Sequence, residues 1–433
     1  MRIHDRILSA NSVEKGTNPS RTLTFQRHTV PPRRVSLPRC HAAPLPLLLA
    51  LGCTPAEGGA TWKGEVDTLP SGTVVVTNPA TGVWDSATAW RVVEELRIGT
   101  VDEIGPALLG QVTALEVDAA GRIYVLEGQA QELRVFDREG RYVRTIGRKG
   151  GGPGEFNQAI GMAWSPAGHL WVVDPQNNRI SVIDTAGALV TSHRTLGGFV
   201  FMPWPGGFDT AGVFYNYAPD LSGGAFRMLL VRYDSALNPM DSIRPPRYAG
   251  PENYFEVVSN EGRSRMRTGV PFGPGLDWQL TPAGDFWAAL TGPYELFRVS
   301  GAGDTLRRVT RAFEPIPVTG EDVDSAIANL EWFTSQGGKV DRSRIPGVKP
   351  ALRGMFVADD GHLWIDVTTP DRADRGYVFD IFDPDGRYLG PLRLPFQLSS
   401  YPPPVIRDGM VIGVTQDELE VPFVVRARIL KGR

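Results

Sequence analysis

Gly168-His-Leu-Trp-Val-Val-Asp-Pro-Gln-Asn-Asn-Arg-Ile180 reads as a turn glycine, a short apolar-aromatic run, a polar loop and the start of a second apolar run. Its core recurs along the chain. Gly121-Arg-Ile-Tyr-Val, Gly212-Val-Phe-Tyr, Gly284-Asp-Phe-Trp-Ala and Gly361-His-Leu-Trp-Ile keep the same order of residue types, and Gly409-Met-Val-Ile-Gly is a weaker copy. Successive glycines lie 47, 44, 72, 77 and 48 residues apart. That is a unit of about 45 residues with two insertions of roughly 25–30, the mark of a blade array.

Each unit divides into short strands. The first gives Val112–Val117, Ile123–Leu126, Leu133–Phe136 and Tyr142–Ile146; the second gives Gly161–Trp164, Leu170–Val173, Arg179–Ile183 and Leu189–Ser192. Third strands recur at Leu229–Tyr233, Tyr294–Val299, Tyr377–Phe382 and Val424–Ile429. Several runs, such as Ile123-Tyr-Val-Leu and Leu170-Trp-Val-Val, are apolar on both faces, as strands sandwiched between neighbouring sheets must be. Four-stranded sheets this short cover one another when stacked around an axis. The last unit, from Pro404, ends after three strands, while an unpaired strand pattern stands upstream at Trp90–Ile98, with Thr73–Val76 before it. An N-terminal strand completing the last blade closes the ring and removes its edges. The expected fold is therefore all-β, a six-bladed β-propeller spanning 71–433. The second insertion carries a helix signal near 319–335: Thr319 as cap, Asp322 three residues on, and Val323, Ile327 and Leu330 on one face. The first insertion, Pro245–Gly275, shows no clear element.

Composition narrows the function. Residues 1–53 hold eight basic and two acidic residues, so the remainder carries 37 basic and 46 acidic side chains, a net of −9. A body of that sign repels polyphosphate, which argues against nucleic acid as a partner. Cys40 and Cys53 are the only cysteines, so 54–433 has no disulfide and is held by packing alone.

The N-terminus reads as an export signal with extra residues in front. Residues 1–33 are polar and without an apolar period, a leader from an over-extended reading frame. In 34–53, Arg34 and Arg39 precede the apolar run Ala42–Gly52, which ends at Cys53. The run suits a secretory signal and is too short to span a membrane. Leu49-Ala-Leu-Gly-Cys53 resembles a bacterial lipobox, which implies acylation of Cys53, with 54–70 as a tether and membrane contact through the anchor only. The expected location is the periplasm or cell surface.

Gly150-Gly-Gly-Pro-Gly-Glu-Phe156, Ile160-Gly-Met-Ala-Trp and the stretch from Gly168 to Ile180 together resemble an NHL repeat, strongly over about 110–200 and diffusely beyond. The resemblance implies a six-bladed ring with a binding surface at one end of its axis. Overall the chain most resembles lipid-anchored six-bladed propellers of bacterial cell envelopes.

Catalytic patterns are scarce. Asp174 and Arg179 flank a tight inter-strand loop, where Asp and Asn bond their own backbone and Arg pairs with the carboxylate. His169 and His362 share a repeat position filled elsewhere by Arg122 and Asp285, and only His193 joins them in the body. These three scattered histidines, without cysteine, do not make a zinc centre. A calcium-dependent lactonase of the gluconolactonase type needs only converging oxygens, for which Asp209, Asp277, Asp359 and Asp360 are the candidates; no spacing singles them out. No serine elbow or phosphate loop appears. The connections entering each inner strand share one rim with the loops between second and third strands. This places Phe156, Gln158, Trp204, Trp278, Arg353 and Tyr401 around the axial mouth as the candidate binding face. The residues favour a non-catalytic envelope binding or scaffold protein with a protein, peptide or glycan partner and no cofactor. Calcium-dependent hydrolysis is the alternative.

Overall fold

A computed structural model describes residues 61–101, 104–195, 203–220, 227–250, 252–259, 264–369 and 377–432. The leader, the signal segment and Cys53 lie outside the described residues. Three strands come first: β1 (Glu65–Thr68), β2 (Val74–Asn78) and β3 (Arg91–Ile98). Blade 1 is β4 (Val112–Val117), β5 (Ile123–Glu127), β6 (Glu132–Phe136) and β7 (Tyr142–Ile146). Blade 2 is β8 (Gly161–Trp164), β9 (Leu170–Asp174), β10 (Arg179–Ile183) and β11 (Leu189–Arg194). Blade 3 is β12 (Gly207–Phe208), β13 (Phe214–Asp220), β14 (Arg227–Tyr233) and β15 (Pro239–Ile243). A hairpin, β16 (Tyr254–Ser259) with β17 (Ser264–Gly269), interrupts the series. Blade 4 follows as β18 (Leu276–Leu280), β19 (Phe286–Leu290), β20 (Glu295–Val299) and β21 (Thr305–Arg311). After helices α1 (Gly320–Ala328) and α2 (Glu331–Thr334), blade 5 is β22 (Leu352–Val357), β23 (Leu363–Val367), β24 (Tyr377–Phe382) and β25 (Tyr388–Leu394). Blade 6 is β26 (Val405–Arg407), β27 (Met410–Gln416) and β28 (Pro422–Leu430), completed by β3.

The repeat glycines earn their place in the first turn of each blade. Gly121 has φ +78°, a left-handed conformation that costs a side chain but not glycine. Asp118 opens that turn, and its Oδ1 accepts from the N–H groups of Ala120 and Arg122, both at 2.9 Å. Asp137 does the same for Glu139 and Arg141 in the turn that enters β7. The hairpins they fold present apolar faces to the next blade. Val125, Ile123 and Phe136 of blade 1 thus pack with Ile412, Val414 and Val424 of blade 6.

The ring closes where the sequence predicts. β3 pairs antiparallel with β28, from Val424 opposite Ile98 to Leu430 opposite Arg91. The segment before β3 does more than tether. β2 adds in parallel to β21 at the outside of blade 4, and β1 adds to β2, so part of 54–70 is strand. Asn78 fastens this strap. Its Nδ2 donates to Thr310 O (3.1 Å) and Gly386 O (2.9 Å), while Oδ1 accepts from Trp62 Nε1 (2.9 Å) and the Tyr388 N–H (2.7 Å). Farther on, the Trp84 N–H donates to Leu389 O of β25 before the chain enters blade 6.

The two insertions form one small module. Thr319 caps α1 in a reciprocal capping box with Asp322, as its sequence predicts. The first insertion, expected to lack an element, contains β16–β17 instead. Phe255 and Val270 of that insertion pack on Phe333 of the second, with Leu330, Val340 and Ile345 around them. The Arg344 guanidinium lies over the Phe255 ring at 5.2 Å.

Candidate functional site

Inner strands approach the axis edge-on, and a ring of six cannot fill its own centre. A cavity of about 650 Å³ remains, lined by Glu116 of blade 1, the entry to blade 3, Asp277–Thr281 of blade 4, Arg353–Val357 of blade 5 and the entry to blade 6. Four of the six sequence-predicted residues line it: Trp204, Trp278, Arg353 and Tyr401. The other two do not. Phe156 is wholly buried (0 % exposed) between blades 1 and 2, because the loop after Gly147 folds back and pairs Lys149 with Phe156. Gln158 is exposed, is not among the cavity residues, and donates its N–H to Asp174 Oδ1 (3.1 Å). Residues 215–220, which follow the blade 3 turn, belong to β13, while 221–226 and 370–376 lie outside the described residues.

The cavity wall is aromatic and prolyl with a few polar groups, most of them half-buried. Trp204 turns its Nε1 to Asn216 Oδ1 (3.0 Å), and Trp278 stacks on Tyr217 with ring centroids 6.5 Å apart. Asp277 and Gln279 stitch β18 to β22, strands that share no backbone ladder. Asp277 Oδ2 accepts from the Met355 N–H (2.9 Å), and Gln279 accepts from the Val357 N–H (3.1 Å) while donating to Met355 O (2.6 Å). Burial raises the Asp277 carboxyl above its ordinary range despite those two strands' N–H donors. Glu116 is half-buried in a strand with no other charged residue. Burial pushes its carboxyl up to about 7, against the pull of Arg407 and the Val117 N–H. Burial also pushes the Tyr401 hydroxyl up to about 12. A lone charge inside Val112–Val117 was the signal that could have found Glu116 from the sequence.

A second cavity, of about 550 Å³, lies between blades 4 and 5 beside the insertion. Its floor is a closed polar cluster. Asp380 accepts from Tyr294 (2.6 Å), Tyr388 (2.8 Å) and Arg311 Nη1 (2.8 Å), and the guanidinium lies 4.2 Å from the Tyr388 ring centroid. Burial, then the Asp380 charge, lifts both tyrosine hydroxyls well above their usual range. Arg311 Nη2 also donates to Ala80 O at 3.0 Å, so this cluster holds the strap to the ring.

The residues of the NHL-like pattern are structural. Asp174 is fully buried and accepts from the N–H groups of Asn157 (2.9 Å), Gln158 and Asn177. Arg179 does not pair with it, contrary to the sequence expectation. It donates instead to Gly151 O (3.1 Å), Gly152 O (2.6 Å) and Glu155 O, clamping the glycine loop. Blade 1 repeats the scheme with other residues: Glu127 accepts from Gly110 and Gln111, and Arg134 donates to Pro106 O and Leu108 O. His362 sits 2.8 Å from Asp360 and packs on Trp90, and His193 stacks on Trp171. Asp209 accepts from the Tyr215 hydroxyl (3.0 Å). Among the described residues, no three His, Cys, Asp or Glu side chains converge as metal ligands.

Fold and cavity define a six-bladed β-propeller with an aromatic-lined axial cavity. A family model described as a 6-bladed beta-propeller matches residues 94–193, which are the closing strand and blades 1 and 2. No curated protein matches the sequence. Among solved structures, a putative exported protein from Bacteroides fragilis is 12% identical with a TM-score of 0.47, covering 82% of this chain and 100% of its own. Virginiamycin B lyase from Staphylococcus aureus is 10% identical with a TM-score of 0.41, covering 79% and 100%. A gluconolactonase from Xanthomonas campestris is 13% identical with a TM-score of 0.36, covering 74% and 87%. Likenesses this distant say nothing of what the chain binds. No helix among the described residues is long and apolar enough to cross a membrane.

Proposed function

We propose that this chain is an exported binding protein, held at a bacterial envelope through acylated Cys53, whose axial cavity receives a protein, peptide or glycan partner. The observation that carries the reading is the cavity itself. A pre-formed concavity of about 650 Å³ lined by Trp204, Trp278, Phe356 and Tyr401, with a few half-buried polar groups, has the make-up of a ligand site. Its carboxyls with displaced pKa values add to that reading.

Gly354 offers a way to close it. The glycine lines the cavity, its φ is unremarkable, and a Cβ there would meet only Asp277 Oδ2, at 3.8 Å. Gly354→Trp therefore plugs the cavity from a position with room for a side chain. Peptide and oligosaccharide arrays probed with the wild type and the plugged variant test the reading. Spots bound by the wild type and lost on plugging support it; identical binding patterns overturn it. Fractionation of cells expressing Cys53→Ser tests the anchor, with release from the membrane fraction expected and retention counting against it.

A further inference from the structure

Five charged side chains line the axial cavity: Glu116, Asp277, Asp359, Arg353 and Arg407. Only the two basic ones have ionic partners. Arg353 Nη2 donates to Asp366 Oδ1; Arg407 holds Nε 3.4 Å from Asp408 Oδ2 and donates through Nη1 to Val117 O (3.2 Å). Asp366 and Asp408 both stand outside the cavity wall. Among the described residues, no basic group lies within ion-pair distance of Glu116, Asp277 or Asp359. The cavity thus carries two cations paired with carboxylates outside it and three carboxylates without an ion pair of their own: Glu116 feels Arg407 only at longer range, while Asp277 and Asp359 accept backbone N–H groups. Trp204, Trp278, Phe356 and Tyr401 line the same cavity, and the negative face of an indole or phenol ring attracts positive charge.

This arrangement is costly for the protein alone. An uncompensated carboxylate in a partly desolvated wall destabilises the fold, and burial accordingly displaces both Glu116 and Asp277 toward their protonated forms. The missing element is a positive charge. The carboxylates are spread along the wall without converging as a metal-ligand set, so they suit a bulky cation whose charge is shared with the rings.

We infer that the axial cavity takes an organic cation, the alkylammonium or guanidinium head of a basic peptide or a small amine, lodged over the aromatic rings and against Glu116 and Asp277. This rests on the axial cavity being the binding site. Charge selection follows directly: anionic heads meet three carboxylates, and neutral heads leave them uncompensated. Proton linkage follows as well. The charged groups sharing the cavity with Glu116 are Arg407 from β26, Asp277 from β18, and Arg353 and Asp359 from blade 5. A bound cation favours ionised Glu116, so affinity rises as pH increases from 6 to 8.

The test uses four probes and three proteins in calorimetric titrations. The probes are n-butylammonium and a blocked glycine pentapeptide whose central residue is lysine, norleucine or glutamate. The proteins are the wild type, Glu116→Gln and Gly354→Trp, each first shown to unfold cooperatively. The lysine peptide binds the wild type at least tenfold tighter than the norleucine or glutamate peptide. Glu116→Gln loses about tenfold in affinity and most of the gain between pH 6 and 8, and Gly354→Trp loses binding. Equal affinity for n-butylammonium identifies a small amine as the source of the cation; tighter binding of the lysine peptide identifies a basic peptide. Plug-sensitive binding of the norleucine or glutamate peptide as tight as that of lysine overturns the cation assignment and leaves the site reading standing. Cation binding that Gly354→Trp leaves intact overturns both. No cation binding at millimolar concentration overturns the assignment, and the arrays then decide the site.

Discussion

Replacing Asn78 with alanine isolates what the N-terminal strap contributes. The side chain is 2% exposed and makes four hydrogen bonds to three separate parts of the ring and strap. In Asn78→Ala, Trp62 can turn its Nε1 to water, and Thr310 O belongs to a strand with other partners. The Tyr388 N–H and Gly386 O stay enclosed and lose the side chain that pairs them. Each such orphan costs about 1–3 kcal/mol, so the loss is about 2–6 kcal/mol. Asn78→Asp is worse, because it replaces two donated hydrogen bonds with a carboxylate facing two carbonyl oxygens. Urea unfolding reads the global loss, and native-state hydrogen exchange reads where it falls. Amides of β1 and β2 exchange roughly 30-fold faster or more, at about 1.4 kcal/mol per tenfold. An Asn78→Ala protein within about 0.5 kcal/mol of the wild type, with unchanged β2 protection, refutes the clamp.

Three further outcomes follow from the same geometry. The raised Glu116 carboxyl favours its neutral form in the fold, so its ionisation costs stability as pH rises from 4.5 to about 7. That interval corresponds to about 3 kcal/mol; Glu116→Gln is therefore more stable than the wild type by up to that amount at pH 8 and level with it near pH 4, and equal urea midpoints at pH 8 contradict this. Phe333, fully buried between the insertions, costs about 3–5 kcal/mol when cut to alanine, with lost exchange protection confined to β16, β17, α1 and α2; uniform loss across the blades counts against a separate module. Gly386 and Gly303 both have positive φ, yet a Cβ on Gly386 would lie 2.4 Å from Val309 Cγ2, whereas one on Gly303 meets nothing within 4 Å. Gly386→Ala must lower the melting temperature clearly more than Gly303→Ala, and equal shifts would show that the contact relaxes freely.

The ring was legible because its signals are local and repeated. Asp118, Gly121 and Tyr124 act within one hairpin, and the pattern they make returns blade after blade. Closure was legible from a deficit, three strands at one end and an unpaired strand at the other. The insertion hairpin was not, although Phe255, Val257 and Met266 alternate. Its cross-strand Glu256–Arg267 pair and its packing on Phe333 appear only once two distant insertions meet. Asn78 was equally silent, since three of its four partners lie more than 200 residues away in sequence. Four axial residues followed from topology, yet Phe156 was misplaced because a folded-back loop sends it into the core. Charge balance in the cavity could not be read at all, for it depends on Asp366 and Asp408 sitting behind their arginines.

A crystal structure of the protein bound to the lysine pentapeptide tests the central claim most directly. The lysine side chain is expected in the axial cavity, its ammonium within about 4 Å of the Glu116 or Asp277 carboxylate and over an aromatic ring. Peptide seated in the cleft between blades 4 and 5, or on the outer strands with the axial cavity filled only by water, would contradict it.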